Sequence, residues 1–506
     1  MSKRLGWWLG VNKVALICLF VLLVGCIPRA VKTLIVETPV TIVSTEMPVV
    51  TLLSPSASPD AVTPTNVPTV ILPMIPTGIP VLPRGAYFVA PTGNDANPGT
   101  IDQPWQTIQK AADTLTAGSI VYIRSGIYHE QIIAKNSGSL GAEITYAAYP
   151  GETVTIDGDG VILSDDLAGL FEIEHKSYIR VTGLRFINSG PFSNNAAILV
   201  KGSNHIAIEN SATFNTMSSG IGVWDSQNVI VAGNTIEAGG VGGGQECITI
   251  AGTTHFEVRD NTVVDCQKEG IDAKDGSSHG FIYRNVVNRP RAVGIYIDAW
   301  DKATYDVEVS QNVVFGSRES SGFTIASEQG GFLSHIRLEN NIAYHNRTYG
   351  IEISPCCTDN HPMDTIFIVN NTLYENGRHW GGGIIVDNAQ ARNVIIRNNV
   401  CSQNLNFQIA VAAEVPKHNV LVDHNMIDGY RGYEDEVYGD DYRLGDPQFE
   451  DPAHGNFRLR RGSQAVDAGS AIGAPDVDFE GNARPLDGDG DGNVLFDIGA
   501  DELSLQ

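Results

Sequence analysis

Gly233-Asn234-Thr235-Ile236, Asp260-Asn261-Thr262-Val263, Arg284-Asn285-Val286-Val287 and Gln311-Asn312-Val313-Val314 are copies of one short pattern, a turn residue and an asparagine followed by a β-rich pair. The pattern reaches back to Val181-Thr182-Gly183-Leu184 and Glu209-Asn210. It runs on through Asn340-Asn341-Ile342, Asn370-Asn371-Thr372-Leu373, Asn398-Asn399-Val400 and His424-Asn425-Met426-Ile427. Between Gly183 and Asn425 the copies fall about 27 residues apart. A second motif keeps the same period: Gly220-Ile221, Cys247-Ile248, Gly270-Ile271, Gly294-Ile295, Gly322-Phe323, Gly350-Ile351 and Gly383-Ile384. Each unit holds two or three short runs in which apolar and polar residues alternate, separated by Asn, Gly, Ser and Asp turns, which is the strand period and not the helical one. One unit cannot bury its own apolar face, so the units must stack. Asparagine at equivalent turns can then form a hydrogen-bonded ladder, a reason for its recurrence that needs no function.

The chain at this point resembles the right-handed parallel β-helix proteins. Tyr87-Phe88-Val89-Ala90-Pro91-Thr92-Gly93-Asn94-Asp95, Pro104-Trp105-Gln106-Thr107-Ile108-Gln109-Lys110-Ala111-Ala112 and Ser125-Gly126-Ile127-Tyr128 look like the entry region of many exported members. The resemblance implies an all-β solenoid over residues 84–430. A short helix within 105–116 is expected to cover its open N-terminal end, where an uncapped edge would invite aggregation. Gly445-Asp446-Pro447-Gln448-Phe449, the run Arg461 to Gly469 and Asp497-Ile498-Gly499-Ala500-Asp501-Glu502 resemble a C-terminal segment common in exported bacterial β-helix proteins, so residues 431–506 are expected to form a closing cap. Within them Asp487, Asp489 and Asp491 have calcium-loop spacing, with Ile498 where a bidentate Glu would stand. A structural calcium and a solvated Asp-Gly turn both fit that pattern.

Lys3, Arg4 and Lys13 precede an apolar run from Val14 to Val24 that ends in Leu23-Val24-Gly25-Cys26. Residues 1–26 resemble a bacterial lipoprotein signal peptide, which implies lipidation at Cys26 and an extracytoplasmic chain held to a membrane by the lipid anchor only. Residues 27–83 are rich in Pro, Thr, Val and Ser with few charges, and read as an extended stalk. The net charge of −25 suits an exported acidic protein, argues against a nucleic-acid partner and makes calcium a fitting ligand. Of the seven cysteines, Cys18 and Cys26 belong to the leader. Cys247 is expected simply to pack, Cys356-Cys357 is a vicinal pair or a loop coincidence, and the absence of CxxC speaks against zinc. A monomer is expected.

The candidate site is Lys268-Glu269-Gly270-Ile271-Asp272-Ala273-Lys274-Asp275, where the strand pattern presents charge while neighbouring units present small or neutral residues. Aligning the units on the residue after each Gly gives outward pairs Gly222 and Trp224, Thr249 and Ala251, Asp272 and Lys274, Tyr296 and Asp298, Thr324 and Ala326, and Glu352 and Ser354. Neighbouring coils lie about 4.8 Å apart, so this register sets Lys274 beside Asp298 and Glu269 beside Glu246. Stacked like charges oppose folding unless something neutralises them, so Glu246 and Glu269, with Asp272 or Asp298, are expected to hold calcium. The competing expectation is that the two glutamates diverge into solvent and Lys274 only pairs with Asp298.

Glu269 to Lys274, with Gln245-Glu246-Cys247-Ile248-Thr249-Ile250-Ala251-Gly252 one coil earlier, also resembles the alginate lyase and chondroitinase-B family of β-helix lyases. That resemblance implies an acidic polysaccharide substrate, Lys274 as the base that removes the C5 proton, Glu269 as a calcium ligand and Arg291 or Arg289 as the assisting arginine. The family carries a second Glu two residues before the first, where this chain has Gln267. Pectate lyases of the same fold are a comparable match. Trp224, Tyr296 and Trp300 could stack on sugars, His279 could donate a proton to a leaving group, and the Gly239–Gly244 loop could shape a groove. The alternatives are a glycoside hydrolase using two of Asp272, Asp275, Asp298 and Asp301, and a non-catalytic glycan-binding or adhesin solenoid.

Overall fold

Between its ends each coil of the solenoid contributes one strand to each of three parallel sheets; coils at the ends lack the middle one, so the sheets hold thirteen, eleven and thirteen strands. The computed structural model describes residues 85–355 and 359–504, and the unit that carries the coils runs Pro83–Gln506. The lipidation expected at Cys26, the stalk and the Cys356-Cys357 pair lie outside the described residues. Among the described residues no helix is long and apolar enough to cross a membrane.

The sheet that matters below contains Ile221–Trp224, Ile248–Ala251, Ile271–Lys274, Ile295–Ala299, Phe323–Ser327 and Ile351–Ser354, stacked in that order. Their register matches the alignment made on the sequence: Gly222, Thr249, Asp272, Tyr296, Thr324 and Glu352 follow one another in one outward column. The alternating residues point inward, and Ile221, Val223, Ile248, Ile250, Ile271 and Ala273 are fully buried. One continuous apolar core runs the length of the coils.

The repeated asparagine forms the expected ladder. Asn234, Asn261, Asn285, Asn312, Asn341, Asn371, Asn399 and Asn425 are all buried, and from Asn234 to Asn399 each Nδ2 donates to the Oδ1 of the next at 2.9–3.0 Å. Each Nδ2 also reaches a main-chain carbonyl inside the coil, as Asn312 does to Ile282 at 2.8 Å. The turn residue before it is left-handed, φ 66° at Gly233 and 53° at Arg284, which explains a preference for Gly, Asn and Asp there that Arg can still override.

A helix at Ile108–Thr114 buries Ile108, Ala111 and Ala112 at the N-terminal end, with Thr107 as its cap accepting from the Lys110 N–H at 3.1 Å. The C-terminal residues divide into two parts. Arg443–Leu444 adds a last strand beside Met426–Asp428, and the buried Glu436 accepts from Gln408, Arg431 and Gly432 backbone N–H groups at 2.8 Å each, closing the last coil. The rest runs back along the flank of the third sheet instead of over the end. Phe449, Phe457, Leu459 and Ile498 cover Ile342, Val400 and Met426 there, and Asn370 and Asn398 donate to carbonyls of Asp497, Gly499 and Ser470.

Asn312→Ala removes both rungs of the ladder at the middle of the stack and the bond to the Ile282 carbonyl. We expect a loss of about 3 kcal/mol in urea unfolding; a loss below roughly 1 kcal/mol would show that the ladder is register without energy.

Candidate functional site

The outward face of the eleven-stranded sheet carries a buried ionic cluster where the sequence alignment placed one. Asp272 and Lys274 leave the strand Ile271–Lys274, Asp298 leaves the next, and Glu246 and Glu269 come from the turns before Ile248–Ala251 and Ile271–Lys274. Lys274 Nζ donates to Glu246 Oε2 at 2.8 Å and lies 3.3 Å from Asp272 Oδ2, with Gln245 Oε1 also at 3.3 Å. Glu246 Oε2 further accepts from Thr249 Oγ1 at 2.9 Å, and Thr249 in turn is tied to Ser219 at 2.8 Å. Lys268 Nζ stands 3.7 Å from Glu246 Oε1 and 3.9 Å from Glu269 Oε2.

The two glutamates therefore turn into the cluster and not into solvent. The ion pair expected between Lys274 and Asp298 gives way to pairs with Glu246 and Asp272, because the Glu246 side chain folds across from the neighbouring coil and reaches the ammonium first. The Lys274 side chain is 13 % exposed and that of Glu246 4 %. Four carboxylates share two lysines, and three buried oxygens, Glu269 Oε2, Asp272 Oδ1 and Asp298 Oδ1, accept no hydrogen bond.

The electrostatics follow from that imbalance. Burial alone would raise Glu246, but Lys274 and Lys268 outweigh it and hold the carboxyl well below its ordinary value. Burial pushes Asp272 well above the carboxylate range, with Glu246 and Glu269 adding to the rise against the pull of Lys274. Asp298 is raised as strongly, by burial and by Asp272 and Glu328, and Glu269 is raised by burial and by Glu246. Burial would lower Lys274, yet Glu246, Asp272 and Asp298 keep it protonated far above its usual range.

Tyr296 is buried one row from Asp272, and its hydroxyl donates to Glu328 Oε1 at 2.6 Å. Trp224 stands on the same face two coils before Lys274, and Trp300 is 40 % exposed just past the Asp298 strand, its backbone N–H held by Asp275 Oδ1 at 3.0 Å. Three expectations do not fit. Arg289 and Arg291 lie on the turn one coil on, but their guanidiniums pair with Asp265 at 2.9 Å and Glu319 at 3.1 Å, since those exposed carboxylates are their stacked neighbours. His279 belongs to the strand Ser278–Tyr283 of a different sheet and faces Asp306 at 3.2 Å. Cys247 does not merely pack: it forms a disulfide with Cys266. That bond ties the turn carrying Glu246 to the turn carrying Glu269, one coil apart.

In the C-terminal segment the aspartates assemble differently from their spacing. Asp467, Asp489 and Asp491 bring one carboxylate oxygen each within 4.8 Å of the others. Asp487 instead accepts from Gly490 and Gly492 N–H groups in its own turn. Asp467 and Glu328 were invisible in the sequence, because neither shares the motif or column of its partners. Lys268 and the disulfide had a local signal, since Lys268 opens the charged stretch, Cys247 stands at the glycine position of the Gly-Ile motif and Cys266 lies four residues before the next copy at Gly270.

A family model described as "Pel9A-like, right handed beta helix region" matches residues 87–417. The chain belongs to the Pel9A-like right-handed β-helix family. Among its relatives, the Bacillus subtilis protein YwoF is 26 % identical over 438 residues, covering 75 % of this chain and 91 % of that protein. The pectate lyase PEL9 of Emericella nidulans is 36 % identical over 124 residues, 22 % of this chain and 30 % of that enzyme. Among solved structures, pectate lyase Pel9A aligns with a TM-score of 0.51 at 16 % identity, covering 82 % of this chain and 96 % of that one. XylC in complex with xylose aligns with the same TM-score at 15 % identity, covering 82 % and 98 %. At these identities the two structures share the fold of this chain.

The raised carboxyls give the site a stability signature. A carboxyl whose folded pKa lies above its unfolded value favours the folded state when protonated, and that contribution is lost as pH rises through the folded pKa. Without a divalent cation the melting temperature should fall as pH rises above about 4, the ordinary aspartate value from which both Asp272 and Asp298 are raised. Asp497 and Asp501, raised to about 7 by burial, act in the same direction, so the cluster's share is the part that Asp272→Asn with Asp298→Asn removes. Added calcium should raise the melting temperature more at the higher pH. A pH dependence unchanged in the double variant would contradict this reading of the cluster.

Proposed function

We propose that this chain is an exported, carbohydrate-active β-helix protein that cleaves a uronic-acid-containing polysaccharide by calcium-assisted β-elimination. The observation that carries the reading is the buried excess of carboxylate around Lys274, with three carboxylate oxygens lacking a donor. The donors are oxygen atoms without thiolate or clustered imidazole, which suits a hard cation, and Glu269, Asp272 and Asp298 are the residues that would hold it. Calcium bound there would neutralise the substrate carboxylate, so that the C5 proton becomes acidic.

Lys274 stands among these carboxylates and is the base of the proposed reaction. Its high pKa comes from Glu246, Asp272 and Asp298, so any positive charge taken up by those carboxylates weakens their hold on its proton. Glu246, fixed by Thr249, anchors the Nζ, and Tyr296 with Glu328 walls one side. The pectate lyase names among the relatives support a pectic substrate, and membership of the Pel9A-like family supports carbohydrate action. The Cys247–Cys266 disulfide favours an oxidising compartment, in keeping with a lipid tether at Cys26. In the C-terminal segment Asp467, Asp489 and Asp491 form a second, structural calcium candidate.

A hydrolase reading is favoured by one observation: burial raises both Asp272 and Asp298, the direction a general acid needs. The products separate the two readings. A lyase releases unsaturated uronate ends that absorb in the ultraviolet, whereas a hydrolase releases reducing ends without that absorbance. Incubated with pectate, alginate and glycosaminoglycans, the protein should generate the unsaturated product from one of them, lose that activity to a chelator and regain it with calcium. Lys274→Ala should reduce the rate by at least about a hundredfold. Undiminished cleavage by that variant would eliminate Lys274 as the base.

A further inference from the structure

The face that carries the ionic cluster continues past it, and its side chains change character in order. After Tyr296 and Asp298 come Thr324 and Ala326, then Glu352 and Ser354, and the next residue in the Glu352 column is Ile385. Thr324 and Ala326, the next pair beyond the cluster, are both buried. The row then meets a wall that is separate from the interior core: Ile385, Phe407 and Ala410 are buried together on the outside of the sheet, with Tyr349 and Tyr433 packed against them.

Trp380 stands on that wall, 36 % exposed. Its Nε1 donates to the Tyr349 hydroxyl at 3.2 Å, and Tyr433 meets it edge-on with ring centroids 5.5 Å apart. Tyr433 and Tyr349 both also pack on Phe407, at 5.4 and 6.0 Å. The loop that bears the indole is rigidly set. Gly381 lies at φ 124°, and a Cβ there would meet the Thr348 carbonyl oxygen at 1.9 Å. Asn406 pins the same glycine from both sides, accepting its N–H at 3.1 Å and donating its own N–H to the glycine carbonyl at 3.0 Å. A large aromatic side chain is thus presented to solvent on fixed supports, with its polar atom already satisfied. Neither the core nor the ionic cluster accounts for it.

We propose that Trp380, backed by Tyr349 and Tyr433, is a sugar-stacking platform that holds the glycan chain at a distance from the ionic cluster. This rests on the carbohydrate reading of the same face. The Ile385 coil lies four coils beyond Asp272, roughly 19 Å at the usual strand spacing, a span that a short oligosaccharide bridges and a disaccharide does not. A pyranose ring offers its apolar C–H face to an indole, whereas its hydroxyls and carboxylate stay in water. The platform therefore adds affinity only for chains long enough to reach it from the cluster. It makes this protein selective for polymer over small fragments.

The test is calorimetric titration of the full chain carrying Lys274→Ala, in calcium, with oligogalacturonates from dimer to octamer and with neutral xylo-oligosaccharides of the same lengths. Turnover is not read, so the result stands apart from the lysine's role as base. Affinity should rise with chain length, and adding Trp380→Ala should weaken octamer binding by about tenfold, the loss growing with chain length. Trp380→Phe should recover most of the loss, with all variants melting at the same temperature. Octamer binding that is unchanged by Trp380→Ala, or affinity with no length dependence, overturns the platform. Length-dependent, Trp380-dependent binding of the neutral sugars alone would overturn the uronate substrate and leave the platform standing.

Discussion

Parallel pairing of successive coils at a spacing of about 4.8 Å governs everything else in this molecule, because it makes every residue the contact neighbour of its equivalents one coil away. A column that repeats one residue type is stable only if that residue can satisfy itself. Asparagine can, since its amide donates in one direction and accepts in the other, and eight of them run unbroken from Asn234 to Asn425. Leucine, isoleucine and valine can, by filling the interior. Carboxylates cannot, and the same spacing that builds the ladder turns Glu246, Glu269, Asp272 and Asp298 into mutual repellers.

The chain answers that repulsion only in part. Lys274 and Lys268 supply two positive charges; Glu246 draws on both, while Glu269 shares Lys268. Burying the remaining carboxyls costs the charged form several kcal/mol each, so Asp272 and Asp298 are pushed towards protonation, and a structure selected for stability alone would have replaced them with apolar residues. The disulfide between Cys247 and Cys266 holds two of the carboxylate-bearing turns together against this tendency.

Most of the architecture was legible in the sequence because it repeats. The asparagine period, the Gly-Ile motif and the alternation of apolar residues fix the stacking, and with it the columns containing Asp272, Tyr296 and Lys274. What the columns could not convey is where a long side chain goes once it leaves its strand. Lys274 reaches backward to Glu246 instead of forward to Asp298, and Arg289 and Arg291 are captured by the nearer Asp265 and Glu319. His279 was misplaced because a motif-by-motif reading does not say which of three sheets a residue joins. Contacts across unrelated positions, such as Tyr296 with Glu328 or Asp467 with Asp489, leave no local pattern at all.

The central claim is that the carboxylates beside Lys274 are balanced by a divalent cation. A crystal of the protein grown with calcium tests it most directly. The account predicts an ion about 2.4 Å from oxygens of Asp272 and of Glu269 or Asp298, with the Lys274 ammonium moved away from Asp272. A calcium-replete crystal with no ion in the cluster and Lys274 still bridging Glu246 and Asp272 would contradict it.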